Sequence, residues 1–303
     1  MTRVFFSMRC SFPYLDETEE LTSAARAHAE GQFVRLSDGY THYELGGPAQ
    51  AEAVVLVHGF SVPSFIFDPT FDFLTRSGWR VLRYDLFGRG WSDRPNVRYD
   101  VDLFCKQLQD LLDTLGCDEP VNLVGLSMGG AIAVTFTARF PQRVRRLTLI
   151  DPAGARAVSL PWTLWAVTLP GVGELALGLF GSVTLLKGVA SDLFGPELVV
   201  EFQRRYRVQM KYQGFRRALL STMRHGMLGD FSAAYRAVGQ HGTPTLLFWG
   251  ENDVTVPFSY SQFVRETIPQ VVFHPVAGCG HIPHYERPEE VNVRLLAFLQ
   301  ATP

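Results

Sequence analysis

Serine is a poor nucleophile until something exposes its oxygen and something takes its proton. The pentapeptide Gly125-Leu126-Ser127-Met128-Gly129 supplies the exposure. It follows the apolar run Val121-Asn122-Leu123-Val124 and precedes a helical pattern over Gly130 to Arg139. A strand that breaks sharply into a helix lifts the serine oxygen above the C-terminal edge of a sheet. Glycine on both sides removes side chains that would clash in so tight a turn. Gly-rich strand-to-helix turns are also common. The pentapeptide alone therefore leaves two readings of Ser127 open, nucleophile or ordinary turn residue.

A proton acceptor working near neutral pH is most simply a histidine. Of the eight histidines, His281 stands in Gly278-Cys279-Gly280-His281, a loop whose backbone freedom lets the ring reach back toward a nucleophile. His284 is the nearest rival and lacks that setting. A carboxylate must then hold the imidazole in one tautomer and stabilise the imidazolium. Asp253 follows Leu246-Leu247-Phe248-Trp249, and Asp151 follows Leu147-Thr148-Leu149-Ile150. Both close a strand pattern, so both stay open on the residues alone. Asp85 and Asp93 lie in the loop after the Trp79 to Tyr84 run and read as holding that loop.

These side chains need a frame. Continuous apolar runs at 53–57, 79–84, 121–124, 146–150, 245–249 and 270–274 suit strands buried on both faces of a parallel sheet. Two further runs, 32–36 and 40–45, flank Ser37-Asp38-Gly39 and read as a hairpin. Helical patterns fall between the strands, over 71–77, 100–115, 130–140 and 259–267. Such alternation predicts an open α/β sheet, with functional residues on the loops beyond the strand C-termini. An amphipathic helix is expected over Asp16 to Glu30.

The alternation stops between about Gly154 and Gly242. Ala157 to Ala190 is long and apolar enough to invite a membrane-spanning reading, but Pro161, Pro170 and several glycines interrupt it. Two or three short apolar helices are expected instead. Helices over 197–212 and 215–224 carry Arg204, Arg205, Arg207, Arg216 and Arg217, expected to form a solvated face.

Composition removes other classes. A chain of 303 residues, 47% hydrophobic, can build a full core without staples. A net charge of −2 offers no basic surface for nucleic acid. Cys10, Cys105, Cys117 and Cys279 show no metal-ligand spacing, which leads to an expectation of reduced thiols and a cytoplasmic setting. The apolar patch over Met1 to Cys10, interrupted by Arg9, is expected to be too short for a secretory core. No metal and no cofactor are expected.

Over roughly residues 32 to 299 the chain resembles the α/β-hydrolase superfamily. The resemblance rests on His58-Gly59-Phe60, Tyr84-Asp85-Leu86-Phe87-Gly88-Arg89-Gly90-Trp91-Ser92-Asp93 and Gly125-Leu126-Ser127-Met128-Gly129-Gly130. It continues through Trp249-Gly250-Glu251-Asn252-Asp253-Val254-Thr255-Val256-Pro257 and Gly278-Cys279-Gly280-His281, all in the family's order. The resemblance implies a mostly parallel eight-stranded sheet flanked by helices. The core would be 31–154 and 241–303, with a helical cap over 155–240 and an N-terminal extension over 1–30 outside the matched part. It favours Asp253 over Asp151 and implies a triad of Ser127, Asp253 and His281. His58 would support the oxyanion loop, and the backbone N–H groups of Phe60 and Met128 would form the oxyanion hole.

Serine at the nucleophile position sets the chain apart from the haloalkane dehalogenases and epoxide hydrolases of this fold, which use aspartate there. The cofactor-free haloperoxidases share the serine triad. The expected activity is hydrolysis of carboxylic esters of short- to medium-chain acids, including monoacylglycerol-like substrates. An apolar cap stretch containing Trp162, Trp165, Leu169, Leu175, Leu177, Leu179 and Phe180 suits an acyl pocket, a transient lipid contact or plain packing on the core. The alternative is a C–C bond hydrolase of ring-cleavage diketones. Such enzymes often carry Trp after the catalytic histidine, where Ile282 stands here. A non-catalytic ligand-binding protein on the same fold is the third reading.

Overall fold

A computed structural model describes residues 14–156 and 166–301. Trp162, Trp165 and Cys10 lie outside the described residues. Eight strands form one sheet in the order β1-β2-β4-β3-β5-β6-β7-β8. They are β1 (Gln32–Arg35), β2 (Tyr40–Gly46), β3 (Ala53–Val57), β4 (Arg80–Tyr84), β5 (Val121–Leu126), β6 (Val144–Ile150), β7 (Thr245–Gly250) and β8 (Val272–Val276). β1 and β2 form the expected hairpin, and β2 also runs antiparallel to β4. Every other pairing is parallel, so β3 to β8 all end at one edge.

Alternation along each strand divides the apolar side chains between two faces. Val55, Val57 and Leu123 pack with the helices Val101–Thr114 and Met128–Arg139. Val54, Leu56, Val124 and Phe248 pack with the other face's helix, Pro288–Gln300. The helix Val101–Thr114 begins at Asp100, whose carboxylate accepts the Leu103 N–H at 3.0 Å. The expected helices shift by a few residues: 71–77 is Asp68–Arg76, 130–140 is Met128–Arg139 and 259–267 is Ser261–Thr267. The final strand runs over Val272–Val276 rather than 270–274.

Between β6 and β7 the described residues contain no strand. They form the helices Val172–Ser191, Val199–Met210, Phe215–Arg224 and Ser232–His241. Of the stretch expected to form two or three short apolar helices up to Ala190, residues 157–165 lie outside the described residues, and Val172–Ser191 is one helix of 20 residues with mean hydropathy 1.4. By length and composition it could cross a membrane. It turns Gly173, Gly181, Leu186 and Val189 inward, against the helices Val199–Met210 and Phe215–Arg224. Leu175, Leu179, Phe180 and Val183 stay exposed.

Two expectations are overturned. The helix over Asp16 to Glu30 shrinks to Ser23–Arg26. Upstream of it, polar groups bond across the fold instead of along the chain. Glu17 accepts the N–H groups of Gly214 and Arg216, each at 2.6 Å, and Glu19 bridges to Tyr212. The arginine face is also not uniformly solvated. Arg216 is 1% exposed and sits between Asp16, Glu17 and Ser182. Its charge is buried because two acidic residues some 200 positions upstream in the chain fold over it.

Candidate active site

Ser127 follows β5 directly and occupies φ 52, ψ −119, a conformation that non-glycine residues rarely adopt. Its surroundings hold it there. The Ser127 N–H donates to Ile150 O at 2.9 Å, and Ser127 O accepts from Gly130 N and Ala153 N at 2.8 and 2.9 Å. The flanking glycines are sterically required. A Cβ at Gly125 would lie 2.4 Å from Gly129 O, and one at Gly129 would lie 2.1 Å from Val57 O. The motif therefore marks close helix–strand packing around Ser127, which is itself only 9% exposed.

Asp253 and His281 meet in the loops after β7 and β8. His281 Nδ1 lies 2.7 Å from Asp253 Oδ2, with the proton assigned to Nδ1 by its carboxylate partner. Asp253 Oδ1 accepts the N–H groups of Thr255 and Val256 at 2.7 and 2.9 Å. Burial would raise the Asp253 pKa, but the His281 charge and these hydrogen bonds outweigh it and hold the carboxyl below its usual value. Burial likewise works to lower His281. The Asp253 charge and hydrogen bond, then Asp192 and Glu286, raise it above an ordinary histidine.

Asp151, the other candidate acid, lies beside this pair without bonding to the ring. Its Oδ1 accepts the Gly250 N–H at 2.9 Å. His284 is fully buried against Phe67, at 4.7 Å between ring centroids, and among the described residues no carboxylate pairs with it. Burial drives its pKa down to about 3, so it stays neutral. Of the two candidate acids and two candidate bases, the structure pairs Asp253 with His281.

The His58-Gly59-Phe60 loop lies against the serine: a Cβ on Gly59 would be 3.3 Å from Ser127 Cβ. His58 is buried, and its Nε2 accepts the Leu86 N–H at 2.9 Å while Nδ1 faces Gly59 O at 3.0 Å. Both ring nitrogens are thus spent on two loops, and burial lowers the pKa to about 4. Among the described residues, neither the Phe60 nor the Met128 N–H has a protein acceptor. Asp85 holds the next loop as expected, accepting Ser64 N, Trp91 N and His42 Nδ1 at 2.8, 2.9 and 2.8 Å. Asp93 accepts the Tyr40 N–H at 2.7 Å.

Three supporting residues escaped the sequence reading. Arg89 is fully buried with no carboxylate partner among the described residues, and its Nε donates to Phe60 O at 2.7 Å. Glu286 accepts the Gly280 N–H at 2.8 Å and the Phe194 N–H at 2.7 Å. Asp192 O accepts the His281 N–H at 2.9 Å. Only Arg89 carried a signal, its place between two glycines of the loop motif. A polar cavity of about 580 Å³ opens elsewhere, beside His42, Asp68, Arg83 and Arg205. None of Phe60, Ser127, Met128, Asp253 and His281 lines it. Asp151, Asp253 and His281 could offer a metal three ligand atoms within 4.8 Å of one another, but the direct bond between Asp253 and His281 uses two of those groups on each other.

The chain belongs to the α/β-hydrolase fold family, whose profile matches residues 52–288. It is similar to the carboxylesterase YbfK of Bacillus subtilis, 28% identical over 275 residues, with 89% of this chain and 88% of that protein covered. It is as similar to a 2-hydroxy-6-oxononadienedioate/2-hydroxy-6-oxononatrienedioate hydrolase of Paraburkholderia xenovorans, 28% identical over 296 residues, covering 91% and 98%. Among solved structures, the meta-cleavage product hydrolase of Pseudomonas fluorescens superposes with a TM-score of 0.73 at 24% identity, covering 89% and 97%. That likeness concerns the fold.

Proposed function

We propose that the protein is a carboxylic-ester hydrolase working through an acyl-enzyme. The observation that carries this reading is the buried His281–Asp253 pair, at the same sheet edge as a strained Ser127 that the Gly59 loop approaches, with the Phe60 and Met128 N–H groups lacking a protein acceptor among the described residues. In this reading His281 Nε2 takes the Ser127 proton as Oγ attacks the ester carbonyl carbon. The Phe60 and Met128 N–H groups receive the developing oxyanion, each donor contributing about 3 kcal/mol to the transition state. The imidazolium then protonates the departing alcohol, and water repeats the sequence on the acyl-enzyme to release the acid. The helices between β6 and β7 serve as a cap, and their apolar surface accommodates the acyl chain. The relationship to YbfK supports an ester substrate.

A second reading, hydrolysis of a C–C bond in a ring-cleavage diketone, draws on the equally similar Paraburkholderia hydrolase. Ile282, fully buried next to His281, stands where such enzymes often carry Trp. Turnover of para-nitrophenyl esters of increasing acyl length, with Ser127→Ala as control, tests the first reading. Ester cleavage that vanishes in Ser127→Ala supports it. Inertness toward every ester, with cleavage of vinylogous diketones, would replace it by the second.

A further inference from the structure

Asp151 raises a question that a triad of Ser127, Asp253 and His281 leaves open. It is wholly buried, it closes β6, and it takes φ 41, a left-handed conformation costly for a residue with a side chain. One of its oxygens accepts the Gly250 N–H. The other, Oδ2, is buried with no donor directed at it. One oxygen of Asp151, one of Asp253 and one ring nitrogen of His281 lie within 4.8 Å of one another. The charged groups around Asp151 are Asp253 from the loop after β7 and Glu286 from the turn after His281. Asp192, from the end of the helix Val172–Ser191, adds a third carboxylate near His281.

Two carboxylates in one dry pocket cannot both stay ionised. Asp253 keeps the charge, because the imidazole and two backbone N–H groups stabilise it, against one N–H for Asp151. We infer that Asp151 is a positioning residue, a neutral carboxylic acid whose Oδ2–H donates to the Asp253 carboxylate and orients it toward His281. The orphaned oxygen then has a partner, and Asp253 gains a further donor. Burial first, and the Asp253 charge second, hold the Asp151 pKa well above the ordinary value. The inference rests on the proposed Asp253–His281 pair.

Asp151→Asn is the decisive variant, since its amide copies a neutral acid in shape and can donate the same hydrogen bond. The acid limb of kcat/KM against pH should stay within about 0.3 unit of the parent and kcat within about threefold. An ionised Asp151 would make the same change remove a negative charge near His281, and the limb would move down by more than about half a unit, overturning the inference. Infrared spectra of the full chain give a readout independent of activity. A protonated-carboxyl C=O stretch at neutral pH should be present in the parent and lost in Asp151→Asn. Its absence from the parent would equally overturn the inference. Asp151→Leu, which cannot donate, should lower kcat about tenfold with KM little changed, and parent-like kcat would remove the positioning role. If Ser127→Ala abolished no turnover while the infrared band was present, the proposed hydrolase mechanism would fail and the protonated Asp151 would stand.

Discussion

The backbone N–H of His281 donates to the carbonyl of Asp192 at 2.9 Å. Asp192 caps the C-terminus of the 20-residue helix between β6 and β7, so that helix reaches the loop carrying the imidazole. The Asp192 side chain adds a second tie, accepting the Thr255 hydroxyl at 2.7 Å, two residues beyond Asp253. Motion of this helix would therefore disturb the base and its acid together.

Glu286 extends the same link, joining Gly280 to Phe194 and Gly195 through one buried carboxylate. Glu286→Gln keeps one acceptor oxygen and turns an NH2 group toward a backbone donor. A lost charge-assisted hydrogen bond is worth about 1.5–3 kcal/mol. We expect a lower Tm and a fall in kcat of about tenfold, with KM less affected, measured on whichever ester the parent cleaves best. Parent-like kcat would show that the loop keeps its position without this tie.

The raised pKa of His281 sets the acid side of the activity profile. The imidazole must be neutral to accept a proton, so activity falls as pH drops through its pKa. The midpoint should lie above the ordinary histidine value of about 6.5. In Asp253→Asn the raising charge is gone, so the midpoint should fall while kcat drops by about 10³ or more. A parent midpoint below 6 would contradict the geometry.

Asp85 and His42 form a buried pair at 2.8 Å. Burial raises Asp85, but His42 and the Ser64 N–H overcome it and hold the carboxyl far below its usual range. Burial lowers His42, and Asp85 more than reverses that. The Asp85 contribution is present above its unfolded value of about 3.9 and is lost as pH falls through the folded value. The His42 contribution is complete below about 6.5 and is lost as pH rises through its raised folded value. Asp85→Asn should cost about 3–5 kcal/mol near pH 5, read from urea midpoints. A midpoint equal to the parent's would remove the pair from the account of stability.

Glu17 and Arg216 bind the N-terminal segment to the helix Phe215–Arg224. Glu17→Ala leaves a buried guanidinium with Asp16, itself largely exposed, as its only acidic partner among the described residues. We expect a loss of about 3 kcal/mol, visible as a Tm drop of several degrees. The double variant Glu17→Ala/Arg216→Met should recover much of it, since no charge is then buried unpaired. Failure to recover would place the cost in the backbone bonds that Glu17 accepts from Gly214 and Arg216.

The sequence by itself determined the sheet, the serine turn and the short list of candidate acids and bases. Those features are local: apolar runs bury strands, and Gly125 and Gly129 are demanded by contacts within one strand–turn–helix unit and its nearest neighbour. The residues alone leave Asp151 and Asp253 open; the resemblance to the α/β-hydrolases favours Asp253, and the fold pairs it with His281. Asp151 and Asp253 look alike in sequence, each at the end of an apolar strand, and only the path of the loop after β8 brings His281 to Asp253. Arg216 reads as surface until residues 16 and 17 cover it, and Glu286 reads as an ordinary helix residue until three N–H groups converge on it. The fate of a charge depends on what folds over it from far along the chain, and no local pattern records that.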